Sequence, residues 1–159
     1  MEKENPGLRI YTDGGCSGNP GPGGWAYVIL AGDSASPPAL IAEKWGAQAG
    51  ATNNRMELTA VISALEALPA LGMEDPGRIT VYTDSQYVQK GISQWIHTWK
   101  RNNWRTSGKA PVKNQDLWQR LDRLTGRYSL TWAWVRGHAG NEMNERCDRM
   151  TQEAIRSLR

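Results

Sequence analysis

The chain has 159 residues, 39% of them hydrophobic, and a formal net charge of +3, which fits one domain of ordinary size with a real core that needs no disulfide or metal staple. Two cysteines, Cys16 and Cys147, are too few for a secreted disulfide framework and point to a reducing compartment. The opening MEKENPG lacks an apolar secretory core and no apolar run approaches the ~18 residues that span a bilayer, so a cytoplasmic protein with no membrane partner is expected.

Residues 8 to 13 alternate Leu8, Ile10 and Thr12 with Arg9, Tyr11 and Asp13, the period of a strand. The next stretch, GGCSGNPGPGG, holds six glycines and two prolines in eleven residues and reads as a loop. WAYVILA (25 to 31) predicts a second strand, DSASPP a turn and ALIAEKWGA (39 to 47) a third strand, together an antiparallel meander. The period then changes: Leu58, Val61, Ile62, Leu65 and Leu68 fall at helical spacing, Thr52, Asn53 or Asn54 can cap the start, and Pro69 closes the helix. RITVYT (78 to 83) is the next strand, and a crossover through a helix makes it parallel to a neighbour.

Residues 86 to 104 predict a Trp-rich helix interrupted at Gly91, followed by the loop TSGKAP and a helix, NQDLWQRLDRLTG, ending at Gly126. YSLTWAWV (128 to 135) predicts the fifth strand and GHAGN a loop. Residues 142 to 158 predict an amphipathic helix with Met143, Cys147, Met150, Ala154 and Leu158 on one stripe. The expected fold class is α/β: a five-stranded mixed sheet with an antiparallel three-strand meander, flanked by helices, in one domain over residues 1 to 159.

Tyr-Thr-Asp occurs twice, at 11 to 13 and 82 to 84, each time at the end of a strand. If those strands are parallel neighbours, Asp13 and Asp84 share one crevice at the carboxyl edge of the sheet, about 4.8 Å apart. Two bare carboxylates so close repel, and a divalent cation with a taste for hard oxygen, such as Mg²⁺, removes that repulsion. Turn-forming Asp13-Gly14 and helix-capping Asp84-Ser85 are the bland readings of the same residues. Glu57 fits a capping box three residues after Asn54, yet it shares a face with Val61, Ala64 and Leu68 and leans toward the sheet. Asp148 lies on the side of the last helix that carries Asn144, Thr151 and Ile155, or else pairs at the surface with Arg146 or Arg149. His138, between glycines in VRGHAGN, is either a solvated loop residue or a mobile proton carrier.

No acid lies between Ser85 and Gln115, where Lys90, Lys100, Arg101, Arg105, Lys109 and Lys113 fall, so the rest of the chain is net acidic. A basic block on an acidic body points to a polyanion partner. Trp95, Trp99 and Trp104 interleave with these cations; Trp95 and Trp99 are one helical turn apart, which also suits core packing.

Taken in order, YTDGG, TNNRMEL, YTDSQYV, WIHTWKRNNW, VKNQDLW and VRGHAGNEMNERCD closely resemble the bacterial type 1 ribonuclease H (ribonuclease HI) family, from about Leu8 to the last helix. The resemblance implies a monomeric endonuclease that cleaves the RNA strand of RNA–DNA hybrids with two Mg²⁺ ions, Mn²⁺ being a possible substitute, and leaves 5′-phosphate and 3′-hydroxyl ends. It implies that Asp13, Glu57, Asp84 and Asp148 bind metal and that His138 transfers protons. Cys16, Asn19, Asn53, Asn54 and Gln86 would face the minor groove and RNA sugars, and Thr52 and Asn114 a DNA phosphate. Residues 86 to 113, with Trp95, Trp99, Lys100, Arg101, Trp104, Arg105, Lys109 and Lys113, would form a protrusion that grips the DNA strand. The chain departs from the family at Asn141-Glu142-Met143, where relatives often run His-Pro-Glu, and at Asn102-Asn103 and Ala110, where they often place lysine or glycine. A catalytically silent hybrid-binding module, or a transposase or other nuclease of the same fold, are the alternatives; the first would be marked by a missing carboxylate, and none is missing.

Overall fold

The computed structural model describes residues 7–32, 39–135 and 142–158, so the expected turn at 33 to 38 and the loop carrying His138 lie outside the described residues. Strands β1 (Leu8–Cys16), β2 (Gly21–Ala31) and β3 (Ala39–Ala51) form the antiparallel meander. β4 (Arg78–Thr83) pairs parallel with β1, and β5 (Ser129–Trp134) parallel with β4, giving one mixed sheet in the order β3-β2-β1-β4-β5. The expected fold class is the observed one. The β1–β4 register runs from Leu8 opposite Ile79 to Tyr11 opposite Tyr82. Continued two residues, it sets Asp13 beside Asp84, which is what the repeated tripeptide encodes.

Alternation gives the sheet two apolar faces. Leu8, Ile10, Tyr27, Ile29, Ile79 and Val81 pack with helix α1 (Asn53–Ala67) and with Trp118 and Leu121 of helix α4 (Gln115–Arg127). On the opposite face Tyr11, Ala26, Val28 and Leu30 pack with Cys147 of helix α5 (Glu142–Arg156). Leu158, expected on the α5 stripe, lies beyond the helix end and is exposed. Both cysteines are free thiols. No helix among the described residues is long and apolar enough to cross a membrane.

The Gly-rich segment is not the expected loop. β1 continues through Gly14 and Gly15 to Cys16, and β2 begins at Gly21, leaving only residues 17 to 20 as the turn. Glycine is poor in isolated strands, but here close packing decides. A Cβ on Gly14 would sit 2.4 Å from the Met56 carbonyl carbon and 2.6 Å from the Glu57 nitrogen, so only glycine lets α1 approach β1 this closely. The strands predicted at 25 to 31 and 39 to 47 are also longer than expected: Gly21, Gly23 and Gly24 of β2 pair with Ala51, Gln48 and Ala47 of β3.

Thr52 is the residue that caps α1: its Oγ1 accepts the Arg55 N–H at 3.3 Å. The first-turn amide of Asn53 is taken by Asn19 Oδ1 at 3.0 Å. The capping box between Asn54 and Glu57 therefore does not form, and Glu57 turns inward.

From Gln86 to Arg101 the backbone stays helical through α2 (Gln86–Lys90), a π turn at Gly91–Trp95 and α3 (Ile96–Arg101). The expected interruption at Gly91 takes the form of a change from α to π winding, not a break in the helical backbone. Gly91 is buried against Trp118, whose ring would lie 2.0 Å from an added Cβ. Trp99 stands among Trp95, Trp104 and Trp118 at ring distances of 5.9, 6.3 and 5.4 Å, and Tyr87 closes the cluster against Trp95 and Trp118. These rings anchor the protrusion to α4. Lys100, without an acid near it in sequence, finds one in space: its ammonium is 3.3 Å from Asp122 on α4.

Candidate active site

Parallel pairing brings the ends of β1 and β4 together, and the first turn of α1 crosses over them. Asp13, Glu57 and Asp84 each offer a carboxylate oxygen to a cluster in which all such atoms lie within 4.8 Å of one another. Asp13 and Glu57 are only 6% and 7% exposed. Their crevice, about 710 Å³ and open to solvent, is also lined by Gly15, Cys16, Asn53, Asn54 and Gln86. Asp148 enters the same crevice from α5 but stands outside the tight trio.

Glu57 is held by two donors. The Gly14 N–H reaches its Oε1 at 2.8 Å, and the Ser85 hydroxyl also hydrogen-bonds its carboxylate. Ser85 meanwhile caps α2 by accepting the Val88 N–H at 3.1 Å, which leaves its own proton for Glu57. Burial pushes the Glu57 carboxyl well above the usual range, the negative charges of Asp13 and Asp84 add to this, and the Gly14 N–H partly opposes it. A buried carboxylate trio of this kind is costly when bare, and its all-oxygen donor set fits a hard divalent cation. Cys147, on the core side of Asp13, is pushed far up by burial and is an inert core thiol.

The surface ion pair considered for Asp148 does not use Arg146, which instead clasps Glu43 of β3 at 2.7 Å. Asn19 sits at the turn between β1 and β2, where its side chain joins Cys16 and the start of α1. Thr52 and Asn114, far apart in sequence, are brought to neighbouring helix starts by Arg55, whose guanidinium donates to Asn114 Oδ1 at 3.3 Å. His138 lies outside the described residues. Sequence reasoning did not single out Ser85, Tyr87 or Gln152, which also line the crevice. Ser85 and Tyr87 do carry a sequence signal: they lie one and three residues after Asp84 in YTDSQY, at the start of α2.

The sequence profile of the RNase H family matches residues 5–156. A ribonuclease H of Treponema denticola is 51% identical over 160 residues, covering 95% of this chain and 98% of that protein. A ribonuclease H of Dinoroseobacter shibae is 54% identical, covering 94% and 92%. Among solved structures, LC9-RNase H1, a type 1 RNase H with the type 2 active-site motif, superposes with a TM-score of 0.81 at 30% identity, covering 100% of this chain and 76% of that one. LC11-RNase H1 in complex with an RNA/DNA hybrid shares the fold, with a TM-score of 0.71 at 24% identity, covering 95% and 98%. With the profile spanning nearly the whole chain and the acidic trio at the strand ends, the chain belongs to the ribonuclease H family, enzymes that hydrolyse the RNA strand of RNA–DNA hybrids.

Proposed function

We propose that the ions this enzyme uses are Mg²⁺, with Mn²⁺ as a substitute, held by Asp13, Glu57 and Asp84 and completed by Asp148 when the hybrid binds. The clustering of three carboxylates within 4.8 Å supports this reading more than any other observation. A pair of such ions held by these carboxylates would supply charge neutralisation at the phosphate, a water of lowered pKa and stabilisation of the leaving oxygen, the chemistry that leaves 5′-phosphate and 3′-hydroxyl ends. The protein's own part is to aim the ligands. Gly14 and Ser85 fix the Glu57 carboxylate, and the rigid strand ends carry Asp13 and Asp84. His138 is proposed as the proton carrier on the strength of the family resemblance.

The hybrid lies across the crevice and the protrusion in this reading. Cys16, Asn19, Asn53, Asn54 and Gln86 meet the minor groove and RNA sugars, where the 2′-hydroxyl distinguishes RNA from DNA. Thr52 and Asn114 take a DNA phosphate. Lys100, Arg101, Arg105, Lys109 and Lys113 follow the DNA backbone beside the half-buried rings of Trp95, Trp99 and Trp104. The enzyme acts as a monomer, one domain over residues 1 to 159, in the cytoplasm.

Neutralising the five protrusion cations tests the binding half of this account. Each lost phosphate contact should lower the slope of log K against log salt by about 0.9, the B-form value, while turnover at saturating hybrid largely survives. KM for one hybrid, measured across several salt concentrations, gives that slope. An unchanged slope removes the protrusion from the binding surface and leaves it the tryptophan-anchored helix pair that packing alone requires.

A further inference from the structure

Asn114 holds the position before α4, where an asparagine ordinarily caps the helix, yet its side chain makes no cap. The backbone there is left-handed, with φ 60°, and the amide is turned sideways into a polar chain. Its Oδ1 accepts from Arg55 Nη1 at 3.3 Å, and its Nδ2 donates to the Tyr87 hydroxyl at 3.2 Å. The Trp118 indole N–H donates to the same hydroxyl at 3.0 Å. With a cation at one end of the amide and a twice-accepting phenol oxygen at the other, only one orientation satisfies every partner. Among the described residues, one Asn114 amide proton has no acceptor.

Arg55 anchors this chain. Its guanidinium engages both carboxylate oxygens of Asp116, at 3.1 and 2.5 Å, and reaches Asn114 with the same Nη1. Its backbone N–H is the one that Thr52 Oγ1 accepts. A single residue thus touches both Thr52 and Asn114 and ties the start of α1 to the start of α4. The Arg55–Asp116 pair is partly exposed, at 32% and 60% of its side-chain surface, and its two-pronged geometry holds the guanidinium in one orientation, with Nη1 also on Asn114.

We propose that Arg55 is a positioning residue for binding of the uncut DNA strand. It fixes the spacing of the Thr52 hydroxyl and the free Asn114 amide proton so that both meet one backbone phosphate. The inference rests on the reading of Thr52 and Asn114 as phosphate contacts. The planar fork is essential to it, because a lysine ammonium, a point charge on a flexible stem, does not hold a two-oxygen carboxylate and an amide in one fixed plane. Tyr87 and Trp118 hold the other end, linking the phosphate site to the aromatic cluster under the protrusion.

The test is steady-state cleavage of one labelled hybrid by Arg55→Lys, Asp116→Asn, Asn114→Ala and the Arg55→Lys/Asn114→Ala double variant, with Tm recorded for each. Arg55→Lys should raise KM about fivefold, the equivalent of one ordinary hydrogen bond, with kcat within about twofold. Asp116→Asn should shift KM the same way by less. In the Asn114→Ala background, Arg55→Lys should add nothing, since Arg55 acts through Asn114. A raised KM for Asn114→Ala beside an unchanged KM for Arg55→Lys overturns the inference and leaves the phosphate reading standing, as does a Tm drop for Arg55→Lys without a change in KM. A full Arg55 effect in the Asn114→Ala background also overturns it, because Arg55 would then touch the backbone itself. If Asn114→Ala leaves KM unchanged, the phosphate reading of Asn114 fails and the inference falls with it.

Discussion

Asp13→Asn abolishes metal-dependent cleavage while leaving the metal-free protein at least as stable as the parent. The two halves of this expectation come from one geometry. Asp13 shares a 4.8 Å cluster with Glu57 and Asp84, so removing its charge removes a metal ligand and relieves repulsion together. Activity should fall by at least about 10²–10³-fold, the scale for losing one preorganised electrostatic group. The stability half follows from Glu57. Burial first, then the charges of Asp13 and Asp84, raise its pKa in the folded state above the unfolded value. The native protein therefore holds more protons than the unfolded chain between those two values, and metal-free stability falls as pH rises through that window. Asp13→Asn takes away one of the causes and narrows the window. Thermal melts in EDTA across pH, beside cleavage assays, check both halves; clear destabilisation at neutral pH would mean that Asp13 serves the local structure of β1 and not a metal.

Gly14→Ala should damage fold and activity together. The added methyl would meet the Met56 and Glu57 backbone at 2.4 to 2.6 Å, and backbone cannot swing aside as a side chain can. Overpacking of this kind costs about 1–3 kcal/mol, several degrees of Tm for a chain of this size. The strain falls on the residue that positions a metal ligand, because the Gly14 N–H holds Glu57 Oε1. A displacement of about 1 Å there is enough to lower kcat by about 10²-fold. Melting and single-turnover cleavage measure the two effects. Parental Tm and kcat in this variant would show that α1 can retreat freely, against the tight β1–α1 contact described above.

Much of this site is legible in the sequence because it depends on local period. The alternation before each Tyr-Thr-Asp fixes which face Asp13 and Asp84 take, and the helical spacing of Leu58, Val61 and Leu65 turns Glu57 inward. What escapes are features decided by distant partners. Gly14 and Gly15 look like a loop until α1 is laid across them. Gly91 marks a change of winding, but that the position must be glycine shows only once Trp118 fills the space above it. The Asn54–Glu57 box is locally sound, but Thr52 and Asn19 satisfy the helix start first and leave Glu57 to the sheet. Lys100 and Asp122, like Arg55 and Asp116, meet across tens of residues that no local pattern connects.

The most direct test of the central claim is strand-specific cleavage of an end-labelled RNA–DNA hybrid in Mg²⁺, beside DNA–DNA and RNA–RNA duplexes and an EDTA control. The expected result is cuts in the RNA strand of the hybrid alone, none in either control duplex, and none in EDTA. Cleavage that persists in EDTA, or that falls equally on duplex DNA, would contradict the assignment of the Asp13–Glu57–Asp84 crevice as a metal centre for hybrid hydrolysis.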